Sequence, residues 1–432
     1  MSAVWERIGA RGGVSPRRAR VYGLLFLGAG LLILLLFARG ATVDQTTVFV
    51  LHPRGEPSAL PVPDLEVPSA LALYGFALVC AFLGGWQLAR GFRRPNLALG
   101  GMVIVFVLAF LTWAGRGRSL SLVGLLSSAL LRATPIALAG LSGVLCERCA
   151  VINIAIEGMM LVGAFVAALM GSVAANIWGW PSWAALSFGL VNGLVSGALL
   201  GLLLAVMAVR FKVDQIVAGT AINILAVGIT SFLSARILAH FQYLNNPGIF
   251  PRVSIPVLAS IPVIGPVFFE QNVLVYTLFV LLAVSQVMLF HTRWGLRTRA
   301  VGEHPRAADT LGINVFRTRY VNVVLGGMVA GLGGAFLILG SVGRFDELMT
   351  AGKGFIGLAA MIFGKWMPFG TFGAALIFGF ADALQTKFAI LEVPIPSQFL
   401  LMAPYLATMI VLAGVVGEAV PPAADGQPYE KQ

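Results

Sequence analysis

Apolar runs of about twenty residues, the length that a helix needs to cross a lipid bilayer, recur along this chain and constrain its fold more than any other feature. Residues 21–38 contain no charged side chain. Hydrophobic residues make up 58% of the 432 and charged residues 11%, and the mean hydropathy is +0.91. We therefore predict an all-α polytopic membrane protein with about 10–12 transmembrane segments, including broken or re-entrant helices. The expected spans cover residues 21–38, 69–89, 99–115, 121–144, 150–176, 182–209, 215–236, 272–290, 320–341 and 398–416, with an interrupted segment at 352–388.

The net charge of +11 indicates orientation in the membrane, and we do not expect nucleic acid as a partner. Residues 1–20 carry five arginines against one glutamate, and residues 291–320 carry six arginines against Glu303 and Asp309. Cytoplasmic segments of membrane proteins are enriched in Lys and Arg. The N-terminus and the loop at 291–320 are therefore predicted to be cytoplasmic.

The three cysteines predict neither a disulfide framework nor a metal site. Cys80, Cys146 and Cys149 lie in or beside apolar segments. Cys146 and Cys149 form a C-x-x-C pair, but no second pair and no histidine lies nearby.

Two glycine patterns predict helix faces that pack closely. Gly193, Gly197 and Gly201 recur every four residues, and the ninth span is rich in glycine between residues 326 and 334. Small residues at this spacing let helix backbones approach in lipid.

Asn153 and Glu157 stand in the otherwise apolar stretch LCERCAVINIAIEGMMLVGAF, residues 145–165. An ionisable group at the centre of a membrane helix costs roughly 2.5 kcal/mol or more and usually faces a protein interior or an aqueous path. Glu157 therefore either lines a translocation path or pairs with Arg132 of the preceding span, which lies at a similar depth. Gly158 follows directly and favours an interruption of the helix.

Two further polar residues in apolar spans are candidates for the same path. Asn223 either lines it or bonds a neighbouring helix, and Asp382 lies near the end of a long apolar limb. The candidate path residues are thus Asn153, Glu157, Asn223 and Asp382.

Interrupted segments occur twice, around residues 150–164 and 352–368. The apolar run at 354–364 is too short to span a bilayer, so we expect a broken helix or hairpin that turns near 365–368. The topology brings the first segment in from the cytoplasm and the second from outside, which suggests an inverted repeat around a central path.

The basic loop contains a short predicted helix. Pro305 suits the first position of a helix and Gly312 suits its end. Such a helix between two spans is either a handle for a cytoplasmic protein or an interfacial helix that binds anionic lipid headgroups.

Three ordered blocks of sequence resemble permease subunits of ABC importers of the branched-chain amino acid and simple-sugar class, and specifically the nucleoside-type branch. They are ERCAVINIAIEGMMLVGAF, RAVGEHPRAADTLGINV and GFIGLAAMIFGKWMPFGTFGAALIFGFADALQ. The resemblance extends over roughly residues 119–416. It implies a bacterial inner-membrane subunit that forms the path for a nucleoside-like solute.

The resemblance also implies partners: a second, related permease, a cytoplasmic ABC ATPase and an extracytoplasmic solute-binding protein, with membrane lipid around the spans. The chain has no G-x-x-x-x-G-K-[ST] motif, so we expect ATP to bind the ATPase chain, with no cofactor or metal here. The resemblance places the basic loop in a cleft of the ATPase, with contacts from Glu303, Arg306 and Asp309. Its coupling residues are Gly302, Glu303, Pro305, Arg306, Asp309 and Gly312.

The expected domain organisation has three parts. Residues 1–95 form an N-terminal extension with two extra spans and an external loop, residues 96–416 form the permease core, and residues 417–432 form a polar tail that we predict to be disordered.

Two other functions remain open on the residues alone. A proton-coupled secondary transporter would use Glu157 to carry a proton, and an intramembrane enzyme would need a paired catalytic constellation that the four scattered histidines do not provide. A simple sugar or a branched-chain amino acid fits the physical arguments as well as a nucleoside does.

Overall fold

The computed structural model describes residues 16–42, 44–52, 63–390, 402 and 419–431. In these residues, ten helices are long and apolar enough to cross a membrane, as the prediction of an all-α polytopic fold requires. The predicted final span, 398–416, and the arginine-rich residues 1–15 lie outside the described residues. The helices are α1 (Pro16–Leu32), α2 (Ser69–Ala89), α3 (Pro95–Ala114), α4 (Leu122–Glu147), α5 (Ile156–Ser172), α6 (Ser182–Ala205), α7 (Gln215–Leu233), α8 (Ile264–Phe268), α9 (Val273–His291), α10 (Arg293–Glu303), α11 (Pro305–Thr310), α12 (Val315–Leu337), α13 (Lys353–Phe363) and α14 (Pro368–Ile390).

Five of the long helices continue as one wider π-helical turn, which lengthens the span at its end. The continuations are Ile33–Ala38 after α1, Val173–Ile177 after α5, Val206–Arg210 after α6, Ser234–Leu238 after α7 and Ile338–Val342 after α12. Large apolar side chains on the spans stay exposed, among them Leu78 and Ile224 at 70% each. An exposed apolar helix surface is what contact with lipid requires.

The described residues form two compact units. Unit 1 comprises those within Met1–Leu125, Ser260–Pro266 and Gln385–Leu400, and unit 2 those within Leu126–Ala259, Val267–Leu384 and Leu401–Gln432.

Unit 1 contains a small sheet that the sequence did not predict. Strand β1 (Thr46–Val50) pairs antiparallel with β2 (Leu65–Pro68) and parallel with β3 (Ser119–Ser121). The buried Thr47 hydroxyl bonds the Ser69 hydroxyl at 2.8 Å and donates to the Thr112 carbonyl at 3.0 Å. The strand β1 of the predicted external loop is therefore tied to the start of α2 and the end of α3.

Unit 2 contains the glycine-lined contact between helices α5, α6 and α12. A Cβ on Gly163 would lie 2.7 Å from the Gly331 carbonyl oxygen, and one on Gly197 would overlap the Gly327 carbonyl. Because the helix backbones are in contact at these positions, only glycine, which has no Cβ, fits there. The predicted close-packing faces are confirmed. A second small sheet pairs β4 (Arg252–Ser254) with β5 (Glu270–Asn272).

The first predicted interruption lies earlier than expected, because helix α4 ends at Glu147 and α5 begins at Ile156 and continues through Gly158. The second predicted interruption is present in unit 2. Helix α13 has 11 residues, about 16 Å at the usual rise, which is about half of a hydrocarbon core. The turn that follows has Lys365 and Trp366 at φ of 54° and 53°, and α14 then begins at Pro368.

The prediction of a disordered tail is wrong for residues 419–431. This segment, here called the C-terminal strap, packs on unit 2, and Tyr429 is only 6% exposed. Its polar composition suggested disorder, but its contacts are made with residues more than a hundred positions earlier in the chain. Composition within the segment cannot indicate such partners.

Candidate functional site

Glu157 binds the start of the half-length helix α13. Its two carboxylate oxygens accept hydrogen bonds from the backbone N–H groups of Gly352, at 2.8 Å, and Gly354, at 2.6 Å. The first N–H groups of a helix have no partner within the helix, and the positive end of its dipole favours an anion. Glu157 therefore supplies both the acceptors and the charge that hold α13 in place.

Glycine makes this approach possible. A Cβ on Gly354 would lie 2.7 Å from the backbone nitrogen of Glu157, closer than non-bonded atoms approach. Gly352 has a φ of +78°, a conformation that favours glycine. The two glycines of the GKG sequence are thus fitted to the carboxylate.

The expected pair of Arg132 with Glu157 is wrong. The Nη1 atom of Arg132 lies 2.8 Å from Oδ2 of Asp382 on α14, with both side chains about one-third exposed. Helix α14 comes this close because Gly379 has no side chain: a Cβ there would lie 2.5 Å from the Ala129 carbonyl. The comparison of depths between two consecutive spans could not take account of this distant helix.

Asn223 on α7 bridges the interruption before α5. Its Oδ1 atom accepts a hydrogen bond from the Gly158 N–H at 2.8 Å, and its Nδ2 donates to the Ile154 carbonyl at 2.9 Å. Gln215, at the start of α7, accepts from the Ile152 N–H at 2.7 Å. Helix α7 thus satisfies backbone groups that the broken helix leaves open. The bond to a neighbouring helix, one of the two roles expected for Asn223, is therefore present.

Asn153 is fully buried inside unit 2. Its Nδ2 atom lies 3.4 Å from the Cys146 sulfur and 3.7 Å from the Met159 sulfur, and its Oδ1 has no hydrogen-bond partner within the described part of the chain. The structure therefore places Glu157 and Asn223 together at the interruption, Asn153 behind them, and Asp382 with Arg132.

The turn between α13 and α14 is fixed to the end of α4, a contact that the sequence did not predict. The Trp366 indole N–H donates to the Glu147 carboxylate at 2.6 Å. Arg148 donates to the Trp366 carbonyl at 2.9 Å and to the Lys365 carbonyl at 3.3 Å. Burial lowers the pKa of Arg148, and Arg299 nearby lowers it further. In the sequence, the feature that could have indicated this contact is the charged pair Glu147–Arg148 in an apolar region.

The predicted short helix of the basic loop is present as α11, preceded by an unpredicted amphipathic helix, α10. Pro305 is the first residue of α11, and the ring of His304 accepts a hydrogen bond from the Ala307 N–H at 3.1 Å. Gly312 follows the helix with a φ of +79°. Gly302 lies so close to the loop after α4 that a Cβ on it would overlap the Arg148 carbonyl.

The two faces of α11 differ in exposure. Ala308 is buried, whereas Arg306 is exposed and Leu311, just after the helix, is 81% exposed. Glu303 has a partner within the chain, since it accepts from the Ala423 N–H at 3.2 Å, and Asp309 is half-buried. Only part of the predicted coupling loop therefore remains open to another protein.

Comparison with known proteins decides the family. The sequence pattern of the family described as "Branched-chain amino acid transport system / permease component" matches residues 125–416. The chain belongs to this permease family.

Curated relatives of this permease share most of their length with it. It is 42% identical over 306 residues to "Guanosine ABC transporter permease protein NupQ" of Bacillus subtilis (strain 168), covering 70% of this chain and 95% of the relative. It is 40% identical over 315 residues to "Nucleoside ABC transporter permease protein NupC" of Lactococcus lactis subsp. cremoris (strain MG1363), covering 71% and 96%. It is 33% identical over 268 residues to "Putative glucose ABC transporter permease protein TsgC13" of Haloferax volcanii, covering 61% and 77%.

The permease is thus a multi-pass membrane protein with the transport role of an ABC permease subunit. Three of its polar side chains, Glu157, Asn223 and Arg132, each join two helices. Within the described residues, no group of three or more His, Cys, Asp or Glu side chains is placed to hold a metal ion.

Proposed function

We propose that this permease forms the translocation path for a nucleoside-like solute in an ATP-driven importer. The observation that carries the proposal is the identity of 42% and 40% to permeases named for guanosine and for nucleosides, over 95% and 96% of their lengths. A glucose-named relative at 33% identity makes a simple sugar the alternative solute.

In this proposal ATP is hydrolysed by a separate cytoplasmic ATPase, and this chain holds no cofactor. The support is the exposed outer face of α11, with Arg306 and Leu311 directed away from the buried Ala308. An amphipathic helix held between two spans presents such a face to a protein partner. The basic loop around it is cytoplasmic in the proposed topology, as is the N-terminus.

We place the path beside the interruption before α5 and the start of α13. Glu157 and Asn223 are half-buried there, and Asp382 is 27% exposed, so these three side chains retain some access. Asn153 is fully buried, and we assign it a supporting position behind the path.

The full importer contains a second, related permease and an extracytoplasmic solute-binding protein. The support for these two partners is the resemblance of the three sequence blocks to importer permeases.

Uptake in membrane vesicles tests the solute. Vesicles that hold the permease with its partner permease, ATPase and binding protein are given labelled guanosine, with unlabelled adenosine, glucose or leucine as competitors. Competition by adenosine alone supports the proposal. Competition by glucose, or uptake of labelled glucose in place of guanosine, refutes the nucleoside assignment.

Binding of the ATPase tests the role of α11. Leu311→Asp should abolish co-purification of the ATPase with the permease, because it puts a charge on the exposed face. Val257→Asp is a matched control, since Val257 is also 81% exposed but lies in the predicted external loop. Equal retention of the ATPase by both variants would show that α11 does not bind it.

A further inference from the structure

The C-terminal strap, residues 419–431, contacts the coupling helix α11 and its surroundings at several points. The Ala424 N–H donates to the Gly302 carbonyl at 3.0 Å, and the Ala423 N–H donates to the Glu303 carboxylate at 3.2 Å. Gly302 belongs to the last turn of α10, where carbonyl groups lack partners within the helix. The strap therefore caps α10 immediately before α11 begins.

Tyr429 completes the buried side of α11. Its side chain packs in one apolar cluster with Val301, Ala308 and Val315. Its ring centroid lies 5.4 Å from that of Phe316. One tyrosine from the strap thus fixes residues before, within and after the coupling helix.

The middle of the strap is held by a buried group of charges. Arg319 of α12 is 1% exposed and donates through Nη1 to the Gln427 carbonyl at 3.0 Å. The charge of Arg319 stabilises the ionised form of Asp425, whereas burial raises the pKa of that carboxyl group to about 6.

These contacts connect the coupling helix with the interruption before α5. Gly426 packs against Ile152 in that interruption. Beyond Tyr429, Glu430 pairs with Lys212 in the connection that follows α6 and its π-helical turn. The strap therefore contacts the coupling helix on one side and the interruption before α5 on the other.

The strap covers only the inner side of α11. Arg306 and Leu311 remain exposed on the outer side, so the strap does not block an incoming protein. We propose that the C-terminal strap positions the coupling helix for the ATPase, with Tyr429 as the main positioning residue. The inference rests on the proposed ATP-driven function and assigns a role to a segment outside the residues that match the family pattern.

The physical basis of the effect is the fraction of time that α11 spends in the docking geometry. The apparent affinity for a partner falls by the fraction of molecules that are competent to bind. Loss of Tyr429 opens the apolar cluster on one side, and α11, at 6 residues, is too short to remain ordered alone. We expect the ATPase concentration for half-maximal uptake to rise on the order of tenfold, with uptake at saturating ATPase unchanged.

The experiment uses vesicles of the assembled permease pair with binding protein, titrated with purified ATPase on the cytoplasmic side. Tyr429→Ala is compared with Tyr429→Phe, which keeps the ring but loses the hydroxyl group, and with Lys431→Ala, an exposed control two residues away. The expected result is a large rise in half-saturating ATPase for Tyr429→Ala, a small rise for Tyr429→Phe and none for Lys431→Ala.

The outcomes separate this inference from the function on which it rests. If the unchanged permease shows no ATP-dependent uptake of any solute tested, the proposed function fails. If it transports and Tyr429→Ala has the same half-saturating ATPase concentration, the strap inference is overturned. A loss of folded permease, seen as lower abundance with an unchanged half-saturation for the molecules that remain, also overturns positioning in favour of a purely structural role.

Discussion

Replacement of Glu157 by glutamine should loosen the start of helix α13 without unfolding the permease. The carboxylate accepts two backbone hydrogen bonds, at 2.8 and 2.6 Å. Glutamine keeps one acceptor oxygen but turns an NH₂ group towards the second N–H. The variant therefore loses about one charge-assisted bond, worth about 2 kcal/mol within the usual range of 1.5–3.

Hydrogen exchange measures this loss directly. If α13 opens locally about 2 kcal/mol more easily, the amides of Gly352 and Gly354 should exchange about 25-fold faster. The readout is mass spectrometry of peptides that cover the start of α13 in purified permease. Glu347→Gln is a matched control, because Glu347 lies in the same connection and is exposed.

The result that would refute the reasoning is equal protection of these amides in Glu157→Gln and Glu347→Gln. It would mean that the two bonds contribute no net stability to α13. A global loss of protection throughout unit 2 would also contradict a local anchor.

Three further predictions follow from the same contacts. Gly354→Ala should abolish recovery of folded permease in detergent, because its Cβ would lie 2.7 Å from the Glu157 backbone. The control Gly373→Ala, whose Cβ would have no atom within 4 Å, should purify normally. Similar yields of the two variants would contradict the close approach at Gly354. A double-mutant cycle on Arg132→Ala and Asp382→Ala should give a coupling of about 1 kcal/mol in thermal stability, as for partly exposed ion pairs, and additive effects would exclude the pair. Burial raises the pKa of Asp425 from 3.8 to about 6. Strap docking should therefore be strongest below pH 3.8 and weaken as pH rises through about 6. The measurement is protease cleavage of the strap, and cleavage that does not increase between pH 5 and pH 7.5 would contradict the prediction.

The spans were predictable because their signal is local. A run of apolar residues can be recognised without information about the rest of the fold. Pro305 and Gly312 mark the start and the end of their helix through their own backbone preferences. The glycine faces were predictable for the same reason, since their spacing along one helix already indicates a backbone contact.

The pairings were not predictable because they depend on distant residues. Arg132 found Asp382, 250 positions away, through an approach of α14 that Gly379 permits. The polar strap is held by Glu303 and Arg319, which no property of its own composition reveals. Strands of three to five residues in unit 1 are likewise defined by their partners and carry little signal alone.

The central claim is tested most directly by measuring the uptake of labelled guanosine with different energy sources. Vesicles that hold the permease with its partner permease, ATPase and binding protein are supplied with ATP, with a non-hydrolysable ATP analogue, or with a proton gradient alone. The account predicts accumulation with ATP only, unaffected by a protonophore. Accumulation driven by the proton gradient without ATP would contradict it and would make Glu157 the first candidate for a proton carrier.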